Sequence, residues 1–149
     1  MPSYEGDSSQ DVTTCARNLE AVARLYMRAG FRDGLRPAQW QAMRFFADNP
    51  GQSLTEFARH RHSTTGSASV VVSALVKRGY LARQTRHTSR NVGIQLTDAG
   101  LRALEQDPIK DLIVALQGLP DAELESVQSA LAHLRVDLSG RIEDDESSG

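Results

Sequence analysis

The sequence predicts a mainly α-helical chain with one small β-hairpin, an α+β arrangement. Three observations lead there. Apolar residues recur at three- and four-residue spacing over most of the chain, the signature of helices with one buried face. One stretch, Val92, Ile94 and Leu96 interleaved with Gly93 and Gln95, alternates with period two, the signature of a strand. The helical stripes near the two chain ends lie outside the central segment and need a partner helix to bury them.

Each element follows from local signals. Residues 1–10 are polar and rich in Ser and Asp, and are expected to be a disordered tail. Val12, Cys15, Leu19, Val22, Tyr26 and Ala29 form a first helical stripe, ended by Gly30 and Gly34. Pro37 suits a first helical position, and Trp40, Met43, Phe46 and Ala47 mark a second helix, stopped by Asn49-Pro50-Gly51. Ser53-Leu54-Thr55-Glu56 reads as a capping box opening a short third helix to about Arg61. Ser63 or Thr64 can cap a fourth helix with Ala68, Val71, Val72, Leu75 and Val76 on one face and Gly79 as terminator. A strand at 80–85 is expected to pair with the alternating strand through a loop at 86–91. Thr97 then caps a helix carrying Leu101, Leu104, Ile109, Leu112, Ile113 and Leu116, with a kink expected at Asp107-Pro108. Beyond Gly118-Leu119-Pro120, the residues Leu124, Val127, Leu131, Leu134 and Leu138 form a coiled-coil-like seam about two heptads long. Residues 139–149 are expected to be a disordered acidic tail.

Composition removes several classes. The chain has 149 residues, 40% of them hydrophobic, enough for a core. No apolar run approaches the roughly 18 residues of a spanning helix, and the start lacks a signal-peptide pattern, so a cytoplasmic location is expected. The one cysteine, Cys15, excludes an intrachain disulfide framework and a multi-cysteine zinc site. His60 and His62 are two apart and do not share a helical face, so no metal is expected. No nucleophile elbow, phosphate loop or metal signature accompanies the serines and histidines, which argues against an enzyme and against a cofactor.

The net charge of −2 hides an asymmetry. Residues 51–97 carry Arg59, Arg61, Lys77, Arg78, Arg83, Arg86 and Arg90 against Glu56 alone, whereas residues 98–138 carry eight acidic and three basic groups. A basic module inside a neutral or acidic frame points to a polyanion. A short helix, a turn, a longer helix and a two-stranded wing make up the winged helix-turn-helix arrangement. The terminal helices outside that unit predict a homodimer.

Leu54–Gly100 resembles the MarR family of bacterial transcription regulators. The matching pieces are Thr64-Thr65-Gly66-Ser67-Ala68-Ser69, then Ala74-Leu75-Val76-Lys77-Arg78-Gly79-Tyr80-Leu81-Ala82-Arg83, then Arg90 placed six residues before Leu96-Thr97-Asp98-Ala99-Gly100. Leu35-Arg36-Pro37-Ala38-Gln39-Trp40 is similar to the entry of the family's second helix. With the terminal helices the resemblance covers about residues 11–138. Three positions depart from the pattern. Thr88 stands where the family usually has an aspartate that pairs with the wing arginine. Arg61-His62-Ser63 replaces the usual apolar residue and glycine of the turn. Val70 takes the place of a long polar base reader.

The resemblance implies a dimeric, sequence-specific regulator of double-stranded DNA, expected to be a repressor released from a pseudo-palindromic operator by a small-molecule effector. The expected DNA-binding residues are Thr64, Thr65, Gly66, Ser67, Ser69, Val70, Ser73 and Lys77 on the fourth helix, with Arg83, Arg86, His87 and Arg90 around the wing. Short hydroxyls can bond phosphates or base edges, and Val70 can touch a thymine methyl. No Asn, Gln or Arg lies on that face between 64 and 76, so readout should lean on DNA shape and on the wing. An effector pocket is expected among Arg24, Arg28, Trp40, Met43 and Arg44, although core packing also accounts for Trp40 and Met43. Cys15 is a redox-sensor candidate, against its alternative as a small packed residue. The expected organisation is a tail (1–10), an N-terminal dimerisation helix (11–34), the winged unit (35–97), C-terminal dimerisation helices (98–138) and a tail (139–149). A winged-helix module that binds protein rather than DNA is the reading from a different class.

Overall fold

A computed structural model of the chain describes residues 5–84 and 93–148. Among them the order is α1 (Glu5–Ala29), α2 (Pro37–Asp48), α3 (Leu54–His60), α4 (Thr65–Lys77), β1 (Leu81–Gln84), β2 (Gly93–Leu96), α5 (Asp98–Ala103), α6 (Ile109–Gln117) and α7 (Asp121–Ser147). One turn of 3-10 helix at Leu104–Gln106 links α5 to α6.

The core is an aliphatic and aromatic cluster made by α2, α3, α4 and the hairpin. Trp40, Phe46, Phe57, Val72, Leu75, Leu81 and Ile94 are all buried there. Phe45, Phe46 and Phe57 meet with ring centroids 5.0 to 5.5 Å apart, inside the range where edge-to-face contact is attractive. Trp40 spends its one polar group on the carbonyl of Gly30, at 3.0 Å, which pins the end of α1 to α2. Between these helices Asp33 and Gly34 both have positive φ, 54° and 71°, and Arg32 pairs with Leu35 across them, a tight hairpin-like turn.

Capping chemistry sets the helix boundaries. Pro37 opens α2, and the Gln39 side chain accepts the Arg36 amide at 2.8 Å. Ser53 accepts the Glu56 amide at 3.2 Å at the start of α3. The other half of the expected box does not form, because the Glu56 carboxylate takes Arg59 Nη1 at 2.6 Å. Thr64 rather than Ser63 caps α4, accepting the Ser67 amide at 3.1 Å. At its far end Gly79 sits at φ +79°. Tyr80 N–H donates to the Leu75 carbonyl and Gly79 N–H to that of Val76, the paired bonds of a Schellman stop.

In the hairpin, Leu81 lies opposite Leu96 and Gln84 opposite Gly93. A further piece of backbone joins it that the sequence does not signal. Gly51 N–H donates to the Ile94 carbonyl and Ile94 N–H to that of Gln52, both at 3.0 Å. A Cβ on Gly93 would stand 2.9 Å from the Gly51 carbonyl oxygen, so a side chain there would push the two apart. The Leu96-Thr97-x-x-Gly100 motif has a similar origin. Thr97 Oγ1 donates to the Gly79 carbonyl at 2.5 Å and accepts the Gly100 amide at 3.1 Å. A Cβ on Gly100 would collide with the Tyr80 carbonyl oxygen and come within 2.6 Å of Leu96 Cδ1. The motif thus locks the wing's second strand onto the end of α4.

Three expectations need correction. The helix after Thr97 is not one kinked rod. It breaks into α5, the 3-10 turn and α6, because Asp107 turns its carboxylate back onto the Ile109 amide at 2.9 Å and Pro108 lacks an amide to continue the ladder. Ala103 and Leu104 pack on the winged core, so α5 belongs to that lobe and its boundary does not fall at 97/98. The tails are also more ordered than expected. α1 begins at Glu5, with no proline between Pro2 and Pro37. α7 continues through the acidic end to Ser147. It is held by an Asp137–Arg141 pair at 2.8 Å and by Ser139 and Ser147 hydroxyls bonding carbonyls one turn back.

Candidate nucleic-acid interface

α4 is amphipathic in the way the interface requires. Ala68, Val72 and Leu75 are fully buried against α2 and α3. On the opposite side Thr64, Thr65, Gly66, Ser67, Ser73 and Lys77 are exposed, and Val70 is 72% exposed. Ser69 is only half-buried, at the edge of that face. With 13 residues α4 is about 20 Å long, and a single helix fits the major groove of B-DNA. Its amino-terminal turn has one amide satisfied by the Thr64 cap. The face offers hydroxyls, one valine and one lysine, a surface suited to phosphates and thymine methyls rather than to bidentate base readout.

The root of the wing is tied to this helix. Arg83, exposed on β1, donates from Nη2 to Ser73 Oγ at 3.2 Å, so two expected DNA contacts form one unit. Arg86, His87, Arg90 and Thr88 lie outside the described residues.

Not every basic residue of the 51–97 segment faces a partner molecule. Arg78 donates to the carbonyls of Gly34 and Asp33 at 2.9 and 3.2 Å and lies over the Tyr80 ring at 5.2 Å. It clamps the α1–α2 turn to the end of α4. Arg61 lies over the Phe57 ring at 5.6 Å. Asp33-Gly34 in the sequence is the visible signal of a tight turn, but nothing there indicates that Arg78, 44 residues on, would hold it.

The residues expected around an effector do not form one cluster. Trp40 and Met43 are core side chains, 1% and 0% exposed. Arg24 is exposed and 3.8 Å from Glu20 on its own helix, and Arg28 is exposed in the last turn of α1. Arg44 has a different task. Its Nη1 meets Asp107 Oδ1 at 2.7 Å, and its Nη2 donates to the Tyr26 hydroxyl at 3.2 Å. Asp107 is 4% exposed. This network joins α1, α2 and the start of α6, and Arg32 to Asp111 at 2.5 Å adds a second ion pair one turn along α6.

Cys15 is exposed on α1, in a stripe with Val12, Leu19 and Val22, which are themselves 67%, 40% and 50% exposed. Among the described residues no group of three or more His, Cys, Asp or Glu could hold a metal ion. No helix among them is long and apolar enough to cross a membrane.

Comparison with known proteins agrees with this geometry. The MarR family model matches residues 33–90. No curated protein sequence matches the chain. Among solved structures, a MarR family transcription regulator superposes with a TM-score of 0.70 at 20% identity, over 91% of this chain and 94% of that one. A probable transcriptional regulator from Pseudomonas aeruginosa gives 0.66 at 25% identity, over 78% and 92%. The PcaV transcriptional regulator from Streptomyces coelicolor, solved in complex with its natural ligand, gives 0.66 at 20% identity, over 92% and 98%. The helix order, the hairpin and the matched segment agree: residues 33–90 match the MarR family, and the chain has the fold of solved MarR family transcription regulators.

Proposed function

We propose that this protein is a homodimeric repressor that acts in the bacterial cytoplasm, binding a pseudo-palindromic operator and leaving it when a small effector binds. The observation that carries the reading is the exposed face of α4, backed by a fully buried apolar face and joined to the wing root through Ser73 and Arg83. Thr64, Thr65, Gly66, Ser67, Ser69, Val70, Ser73, Lys77 and Arg83 are the contacts we assign to DNA, together with Arg86, His87 and Arg90 of the wing.

Dimerisation is supported by uncovered apolar surface on the terminal helices. Val12, Val22 and Leu25 on α1, Val114 on α6, and Leu131, Leu134 and Leu138 on α7 are each more than two-fifths exposed in the single chain. A groove of about 520 Å³ between α6 and α7, lined by Leu116, Leu124, Val127 and Leu131, is open to receive a partner helix. Two α4 helices related by a twofold axis would reach half-sites roughly one helical turn apart. The effector is supported more distantly, by the ligand bound to the S. coelicolor regulator of the same fold.

Fluorescence anisotropy of a labelled duplex, titrated at several salt concentrations, tests the DNA reading. Affinity should fall steeply with salt, and Lys77→Ala should lower the slope of log affinity against log salt by about 0.9 if Lys77 meets one phosphate. Duplex binding that is absent, or indifferent to salt, would favour the protein-interaction module instead.

A further inference from the structure

The turn between α3 and α4 carries a contact that DNA binding does not explain. His62 sits there with positive φ, 52°, and its ring lies against the last turns of α7. Nε2 is 3.3 Å from Ser139 Oγ, and Nδ1 is 3.8 Å from Glu143 Oε1. The Ser139 hydroxyl already gives its single proton to the Arg135 carbonyl at 2.7 Å. Its lone pairs are left for Nε2, so the tautomer with hydrogen on Nε2 lets His62 donate to it. Nδ1 then faces a carboxylate.

The neighbouring charges are otherwise engaged. On the α3 side Arg59 holds Glu56, and Arg61 lies over Phe57. On α7, Arg141 holds Asp137 at 2.8 Å. Glu143 begins a run of four acids with Asp144, Asp145 and Glu146, all exposed. Its first member, Glu143, stands beside the turn that leads directly into the Thr64 cap of α4.

We propose that the acidic end of α7 is an intramolecular competitor of the DNA phosphates, latched through His62 to the turn that precedes the recognition helix. The proposal rests on the DNA-binding reading above. Seating the first turn of α4 in the major groove brings the phosphate backbone toward this turn. Duplex DNA carries one negative charge per roughly 1.7 Å of its axis. At physiological salt, charges within about 8 Å still act on one another. Glu143, held beside His62, and the three acids that follow it within one helical turn therefore oppose docking.

The test compares the natural full-length chain with a variant of equal length carrying Glu143→Gln, Asp144→Asn, Asp145→Asn and Glu146→Gln. Each is titrated into a fluorescein-labelled mixed-sequence duplex. The variant should bind about 3- to 10-fold tighter at low salt, with the gain shrinking as salt rises. In the background of His62→Ala the same neutralisation should gain less. A readout without DNA keeps the contact separate: the imidazole NMR resonances of His62 should move on Glu143→Gln. A moved resonance with unchanged duplex affinity overturns the competitor role. An unmoved resonance overturns the latch itself. If the resonance moves but neither protein binds the duplex at any salt, it is the DNA-binding reading that fails.

Discussion

Replacing Asp107 with alanine should destabilise the protein more than any surface change, and the size can be worked out from its contacts. The carboxylate is 4% exposed and serves two donors through one oxygen, Arg44 Nη1 at 2.7 Å and the Ile109 amide at 2.9 Å. Removing one partner of a buried ion pair costs about 3–5 kcal/mol when the remaining charge is fully enclosed. The Arg44 side chain keeps 23% exposure and its bond to the Tyr26 hydroxyl, so water can reach it and a cost below that range, about 2–3 kcal/mol, applies. Loss of the amide cap adds about 1 kcal/mol. The sum of about 3–4 kcal/mol corresponds to a drop in melting temperature of about 6–15 °C for a chain of this size. Circular dichroism melts at fixed protein concentration measure it. Asp107→Asn keeps the cap acceptor and should cost less. Arg44→Met combined with Asp107→Leu should recover most of the loss, because an apolar pair of similar volume carries no uncompensated charge. A shift below about 2 °C for Asp107→Ala, or a double variant whose loss is the simple sum of the singles, would refute the reasoning.

Two further predictions follow from packing. Gly100→Ala should lower the urea midpoint by an amount equivalent to at least about 2 kcal/mol, because the added methyl meets the Tyr80 carbonyl and the Leu96 side chain at once; an unchanged midpoint would show that the α4–hairpin junction yields. Leu131→Asp with Leu134→Asp should give monomers in light scattering, since both leucines stand exposed on the α7 seam, at 43% and 42%; a dimer that survives would move the interface off that seam.

Much of the architecture was written locally. The spacing of Ala68, Val72 and Leu75, the Thr64 cap and Gly79 each act within one or two turns, so α4 and its exposed face could be read from neighbours in the chain. The same holds for Ser53, Thr97 and the alternating strand. The candidate DNA-facing residues of α4 come from the same periodicity, which is why all but Ser69 lie exposed on that face. Element ends were harder to read. Helix stability at the chain termini depends on weak i, i+4 contacts such as Asp137 with Arg141, whose sum is small beside the compositional signs of disorder that 139–149 carries.

What only the tertiary structure decided is the use of the charged residues. Arg44, Arg78 and His62 look alike in sequence to any basic group near an interface. Arg44 is held by Asp107, 63 residues away, Arg78 by carbonyls 44 and 45 residues away, and His62 by Ser139 on the far helix. An apolar periodicity reports which face is buried without saying against what. A charged side chain carries no periodicity at all, and its partner is chosen by the packing of helices whose separation in sequence no local signal encodes. The sequence thus determined which surfaces would be apolar, capped or hydroxylic. The fold determined which arginines brace the molecule, because long-range charge pairing forms only after the apolar core has set the distances.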